Sequence, residues 1–225
     1  MTKIICFGDS WAYGAELQNP QFTEHPFVHW VANEINLPYV NYGEQGASLG
    51  IILYKIVKQI TNIKKQDIVL VVIPPDTRWY DENEREGFHS LMNWRRDDYF
   101  KSLNNKTVEW FKYHHAIFVY TIQKILDDIG CYYIMAHNYG QIDEIKKFNL
   151  RVDYSKFLSE IDLTNLLSEV PHDWQSYADR YVDGPLYNHE FSGKYFEGCV
   201  NHPNELGHKR IAELFLEKYK HDNQK

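Results

Sequence analysis

The sequence predicts an α/β fold on a mainly parallel sheet, with right-handed crossovers between strands. Three observations carry this. Short apolar runs at Ile4–Phe7, Asp67–Ile73 and Cys131–Ala136 have the length of strands. Their apolar character is nearly unbroken, as a strand covered on both faces requires. Between them lie longer segments whose apolar residues recur three and four apart, the helical period. At 225 residues, one domain spanning 1–225 with a sizeable core is expected.

The elements follow in chain order. Ile4–Phe7 is the first strand, stopped by Gly8-Asp9-Ser10. Residues 15–26 read as a loop, with Asn19-Pro20 and His25-Pro26 as turn signals. Phe27, Val28, Val31, Ala32 and Ile35 mark the apolar stripe of a helix. Pro38–Val40 is a short apolar segment, and the run from Ile51 to Ile60 is a second helix. Asp67–Ile73 is the third strand, closed by Pro74-Pro75, which forbid an immediate helix. Residues 79–113 mix charges with Trp79, Tyr80, Phe88, Trp94, Tyr99 and Phe100, and read as an insertion beside the sheet's rim. His114–Ile129 is helical and ends at Gly130. Cys131–Ala136 is the fourth strand, followed by a loop from His137. Residues 141–200 form a second variable region, and a last helix runs through Leu206, Ile211, Leu214 and Phe215. The polar tail Lys218–Lys225 is expected to fray.

Composition excludes several classes. A net charge of −7 argues against a nucleic-acid binder, which would show a basic face, and against anionic membranes. No apolar run approaches the roughly 20 residues that cross a bilayer, and Met1-Thr2-Lys3 opens no signal segment. A cytoplasmic setting is expected, with release by another route left open. Three cysteines make no disulfide framework; Cys6 and Cys131, within apolar runs, read as core residues. His25 and His29 are four apart, but a zinc site needs three or four ligands and no further pair has suitable spacing, so no metal or other cofactor is expected.

Two stretches carry chemistry. A serine just past a buried strand is expected at the rim of the sheet with its hydroxyl in solvent, and open α/β sheets bind ligands along that edge. Ser10 has that setting. Far along the chain, His202 precedes Pro203, which keeps it out of helix geometry and in a loop entering the last helix. An imidazole titrates near neutrality and can take a proton from a serine and return it.

Together these stretches resemble the SGNH hydrolases, also called the GDSL esterase and lipase family. Gly8-Asp9-Ser10 matches the first block of that family, and His202-Pro203-Asn204-Glu205-Leu206-Gly207-His208 its last. Asn41-Tyr42-Gly43-Glu44-Gln45-Gly46 fits the second block. The resemblance implies a flavodoxin-like three-layer α/β/α sandwich. It implies Ser10 as nucleophile, His202 as base, and the backbone N–H groups of Ser10 and Gly46 in an oxyanion hole.

Two positions depart from the family pattern. Asp76, in Pro74-Pro75-Asp76-Thr77-Arg78, stands where the third block has asparagine. An ionised carboxylate only accepts hydrogen bonds and would repel an oxyanion. Asp76 is therefore protonated, or replaced as donor by Thr77 or Arg78, or absent from a two-donor hole; we favour an Asp76 turned away and paired with Arg78, which is also placed to meet a substrate carboxylate. The family's acid, three residues before the histidine, is here Cys199. Glu197, Asp183 or a backbone carbonyl is left to support His202.

The resemblance and the aromatic, acidic composition point to hydrolysis of a small ester, such as an O-acetyl group on a carbohydrate. A long-chain lipase would more often expose an apolar surface. The alternative is a binding module for glycan or protein that kept the scaffold and lost its chemistry.

Overall fold

The computed structural model describes residues 1–15, 17, 25–74, 108–137 and 205–224. Most of the first expected insertion and all of the second lie outside them. The described elements are β1 (Ile4–Phe7), α1 (Ser10–Tyr13), α2 (Phe27–Glu34), β2 (Tyr39–Asn41), α3 (Leu49–Gln59), β3 (Ile68–Ile73), α4 (Val108–Ile129), β4 (Tyr132–His137) and α5 (Glu205–Asp222).

The strands form one parallel sheet in the order β2-β1-β3-β4. Ile4 lies opposite both Tyr39 and Ile68, and Ile73 opposite His137. Alternate strand residues serve opposite faces. Ile5, Phe7, Val69, Val71, Ile73, Tyr133 and Met135 join a core with the buried faces of α3 and α4. Ile4, Cys6, Ile68, Leu70, Val72, Ile134 and Ala136 join a second core with α2 and α5. This is the parallel α/β fold expected from the apolar strands, in the α/β/α sandwich that the resemblance implies, with the strand order of the flavodoxin-like class. The chain turns back between β2 and β3, so the order reverses at β1. The crevice outside the carboxyl ends of β1 and β3 is the switch point at which such sheets bind ligands.

Several boundaries differ from expectation. α4 begins at Val108, not His114. Its first turns contain no Gly or Pro, but their mixed aromatic and charged residues hide the helical period. Asp67 is not a strand residue; it is buried and accepts from the Lys3 N–H (3.1 Å) and the Lys64 N–H (2.9 Å), closing the turn before β3. His137 is the last residue of β4 rather than the first of a loop.

The tail does not fray at Lys218, for α5 continues to Asp222. Asp222 accepts from the Tyr132 hydroxyl (2.8 Å) and from Lys218 Nζ (2.7 Å), which ties the end of the helix to β4. Burial alone would raise the Asp222 carboxyl. Hydrogen bonds from Lys218, Tyr132 and His221, with the Lys218 charge, outweigh that and hold it below the usual carboxylate range. A depressed carboxyl contributes stability at neutral pH and loses it as pH falls through the folded-state value. Tyr132→Phe is expected to cost about 1–2 kcal/mol at pH 7. In thermal melts the gap from the unmodified protein should narrow as pH falls below the ordinary carboxylate range. A gap that is constant with pH would mean that the ionised carboxylate is not the partner that matters.

Candidate active site

The site begins where β1 ends. Asp9 is the N-cap of α1, and its carboxylate accepts from the Trp11 N–H (3.1 Å). Ser10 is the first residue of this one-turn helix. Trp11 and Ala12, both buried, anchor α1 in the core shared with α2. A Cβ on Gly8 would lie 2.6 Å from Ala12 Cβ and 2.8 Å from Val72 Cβ, so α1 is folded tightly back over β1 and β3. The expectation that the Ser10 hydroxyl stands in solvent is not met. Ser10 is 1% exposed, and its Oγ has no hydrogen-bond partner among the described residues. A buried hydroxyl without a partner costs about 1–3 kcal/mol, and functional sites are where such groups persist.

The second block lies directly on α1. The Asn41 carboxamide donates to the Ala12 carbonyl (2.7 Å) and accepts from the Gly43 N–H (2.9 Å). The Glu44 N–H donates to the Gly8 carbonyl (3.0 Å), and the Tyr42 N–H to that of Cys6 (2.8 Å). From α3, Lys55 Nζ donates to the Tyr42 carbonyl (2.9 Å) and pairs with the Glu44 carboxylate. The Tyr42 ring stacks on Phe7 at 5.2 Å. The loop then reaches Gly46, at φ 77°, the left-handed region that favours glycine. Ala47 and Ser48 follow, and α3 begins.

The described end of the last block, at the start of α5, joins α2. The Phe27 N–H, at the start of α2, donates to His208 Nδ1 (3.2 Å). Pro26, the N-cap, has no side-chain oxygen to serve the first turn of α2, and the buried His208 imidazole supplies an acceptor instead. The Phe27 ring stacks with both His208 and Phe215. A Cβ on Gly14, which caps α1, would lie 3.2 Å from Pro26 Cβ. A line of contacts thus runs from α1 through Pro26 and Phe27 to the first turn of α5.

Of the site residues expected from sequence, Ser10 and Gly46 are described, one opening α1 and the other on the loop bonded to it. His202, Glu197, Asp183, Asp76, Thr77, Arg78 and Cys199 lie outside the described residues. Sequence reasoning gave no role to Asn41 or Gly43 and none to His208 beyond its place in a block. Their roles come from partners 29 and 181 positions away for Asn41 and His208. The two other cysteines are buried. Burial pushes the Cys131 thiol up to about 11 and the Cys6 thiol higher still. The His25 and His29 rings stack at 3.8 Å, and His29 Nε2 lies 2.8 Å from the Asn33 amide nitrogen. Burial, then the neighbouring His25, lowers the pKa of His29. Among the described residues no three His, Cys, Asp or Glu side chains are grouped to hold a metal, and no helix is long and apolar enough to cross a membrane.

No family model and no curated protein sequence matches the chain. Solved structures do. LAE5, an α/β hydrolase enzyme from the metagenome of Lake Arreo in Spain, is 15% identical, with 96% of this chain and 94% of that one covered, at a TM-score of 0.54. The acetyl xylan esterase AlAXEase is 13% identical over 96% and 98%, at 0.51. A candidate GDSL-like lipase from Parabacteroides merdae is 15% identical over 96% and 94%, at 0.50. At these identities the likeness speaks for the architecture. The parallel sheet, with a Gly-Asp-Ser turn at the carboxyl end of its first strand, has the fold of the SGNH hydrolases.

Proposed function

We propose that this protein is a serine ester hydrolase in which Ser10 attacks the ester carbonyl while His202 takes its proton. The backbone N–H groups of Ser10 and Gly46 hold the developing oxyanion. His202 then protonates the leaving alcohol, and water releases the acyl group from Ser10 by the same steps in reverse. Losing one donor of such a hole typically costs about 100-fold or more in rate. Asp76 faces away, paired with Arg78, and Thr77 or Arg78 lies against the substrate. Glu197 orients His202; Asp183 and a backbone carbonyl are its competitors for that role.

One observation carries this reading: a buried serine hydroxyl, unpartnered among the described residues, at the switch point of the sheet. The placement of α5 supports His202 as its partner. His202 is three residues before Glu205, and three residues span at most about 10 Å. The first turn of α5 is bonded to the first turn of α2, which in turn touches Gly14 at the end of α1. This arrangement supports the choice of His202, close in sequence to α5, as the base for Ser10.

The substrate is a small acyl ester, an O-acetyl group on a carbohydrate. The abundant Tyr and Trp suit a sugar, and the acetyl xylan esterase AlAXEase has a similar fold. The departures at Asp76 and Cys199 support a second reading, a binding module with weakened chemistry. A fluorophosphonate probe separates the two. Covalent labelling at Ser10 is expected, together with faster hydrolysis of p-nitrophenyl acetate than of the octanoate. An intact but unlabelled protein favours the binding module, and a clear preference for octanoate rejects the small-acyl assignment.

A further inference from the structure

Ser10 and Gly46 can share an oxyanion only if two separate loops keep a fixed distance from each other. Nothing in the covalent chain sets that distance, for 36 positions separate them. Among the described residues, Asn41 bridges the Ser10 helix and the Gly46 loop through its side chain. Its nitrogen donates to the Ala12 carbonyl, inside the helix that Ser10 opens, and its oxygen accepts the Gly43 N–H, inside the loop that Gly46 closes. At 2.7 and 2.9 Å both bonds are of normal length. A residue of this size that lacked either the donor or the acceptor could hold only one side. On the far side of the loop Lys55 binds the Tyr42 carbonyl and the Glu44 carboxylate. The loop is thus tethered inward to α1 and outward to α3.

We propose that Asn41 is a positioning residue for the Ser10 site: one carboxamide sets the separation of the Ser10 helix and the Gly46 loop, with Lys55 as the outer tether. Asn41 touches neither substrate nor reacting atoms in this role. The consequence is specific. Loosening the bridge misplaces the oxyanion donors relative to the nucleophile, which weakens transition-state binding and leaves ground-state binding nearly intact.

The inference rests on the ester-hydrolase reading, and the test keeps the two apart. Steady-state hydrolysis of p-nitrophenyl acetate and the rate of fluorophosphonate labelling are measured for unmodified protein, Asn41→Ala, Lys55→Met and Lys55→Arg. Val31→Ala, a core change in α2, serves as a control for lost stability. If the unmodified protein neither turns over nor labels, the hydrolase reading itself is wrong. If it does, Asn41→Ala should lose about 10- to 100-fold in kcat with KM within about twofold, and labelling should slow in parallel. Lys55→Met should lose several-fold in kcat, and Lys55→Arg should recover most of it. Val31→Ala should keep kcat despite a lower Tm. Full kcat in Asn41→Ala overturns the proposal, as does a loss carried by KM alone. Should Asn41→Ala fail to fold, Lys55→Met decides, and unchanged turnover in that variant overturns it.

Discussion

Ser10→Ala is expected to lower kcat for p-nitrophenyl acetate by at least about 10⁴-fold, and to abolish fluorophosphonate labelling. His202→Ala should fall by a similar factor. The double variant should be no slower than either single one, because a nucleophile and its base act as a unit. The loss will not be a folding effect. The Ser10 hydroxyl makes no hydrogen bond to the described residues, so removing it leaves α1 with its Asp9 cap and its Trp11 and Ala12 anchors. Tm should hold within a few degrees or rise, as is common when a functional polar group is taken out of a site. The pH profile supplies a second check. A base must be unprotonated to accept from Ser10, so kcat/KM should rise with pH through the ordinary histidine range near 6.5 and then level off. Hydrolysis that survives Ser10→Ala unchanged would place the chemistry elsewhere.

What the sequence made legible, and what it hid, follows from the range of the forces involved. β1 and β3 are buried on both faces, and burial writes itself locally as an unbroken apolar run. β2 has only three half-buried residues; the segment Pro38–Val40 pointed to it, but its place comes from pairing with β1. The first turns of α4 were missed because their aromatic and charged residues blur the period. The end of α5 looks like a fraying tail in the sequence because its anchor, Tyr132, lies 90 positions away. The same division runs through the site. Gly-Asp-Ser at a strand end is a local signal and points to Ser10 as the candidate. That Ser10 is buried, that His208 serves the Phe27 N–H, and that one asparagine bridges two loops are long-range facts. Local patterns contain no trace of them.

Gly43→Ala is the second large effect, and its cause is purely steric. A Cβ at this position would lie 2.4 Å from the Tyr13 backbone nitrogen, 2.6 Å from the Ala12 carbonyl carbon and 2.8 Å from Tyr13 Cα. All three are backbone atoms, so no change of rotamer relieves the clash. Gly43 does not have a positive φ, so the conformation itself admits alanine and only the space does not. Either α1 or the loop must move by about an ångström. Such a shift strains the Asn41 bridge and the bond from Glu44 N–H to the Gly8 carbonyl. A loss of more than about 3 kcal/mol in stability is expected, in line with other backbone clashes in cores. Any folded remainder should turn over about 100-fold more slowly, since a displacement of that size near reacting groups has such an effect. Gly50→Ala is the matched control. There the nearest atom, Phe118 Cζ, is at an ordinary 3.6 Å, and alanine favours the helix, so stability should hold or rise slightly. Thermal unfolding and acetate hydrolysis of the two variants measure the contrast. If Gly43→Ala melted and turned over like Gly50→Ala, the loop would not rest on α1, and the oxyanion hole proposed for Ser10 and Gly46 would lose its structural footing.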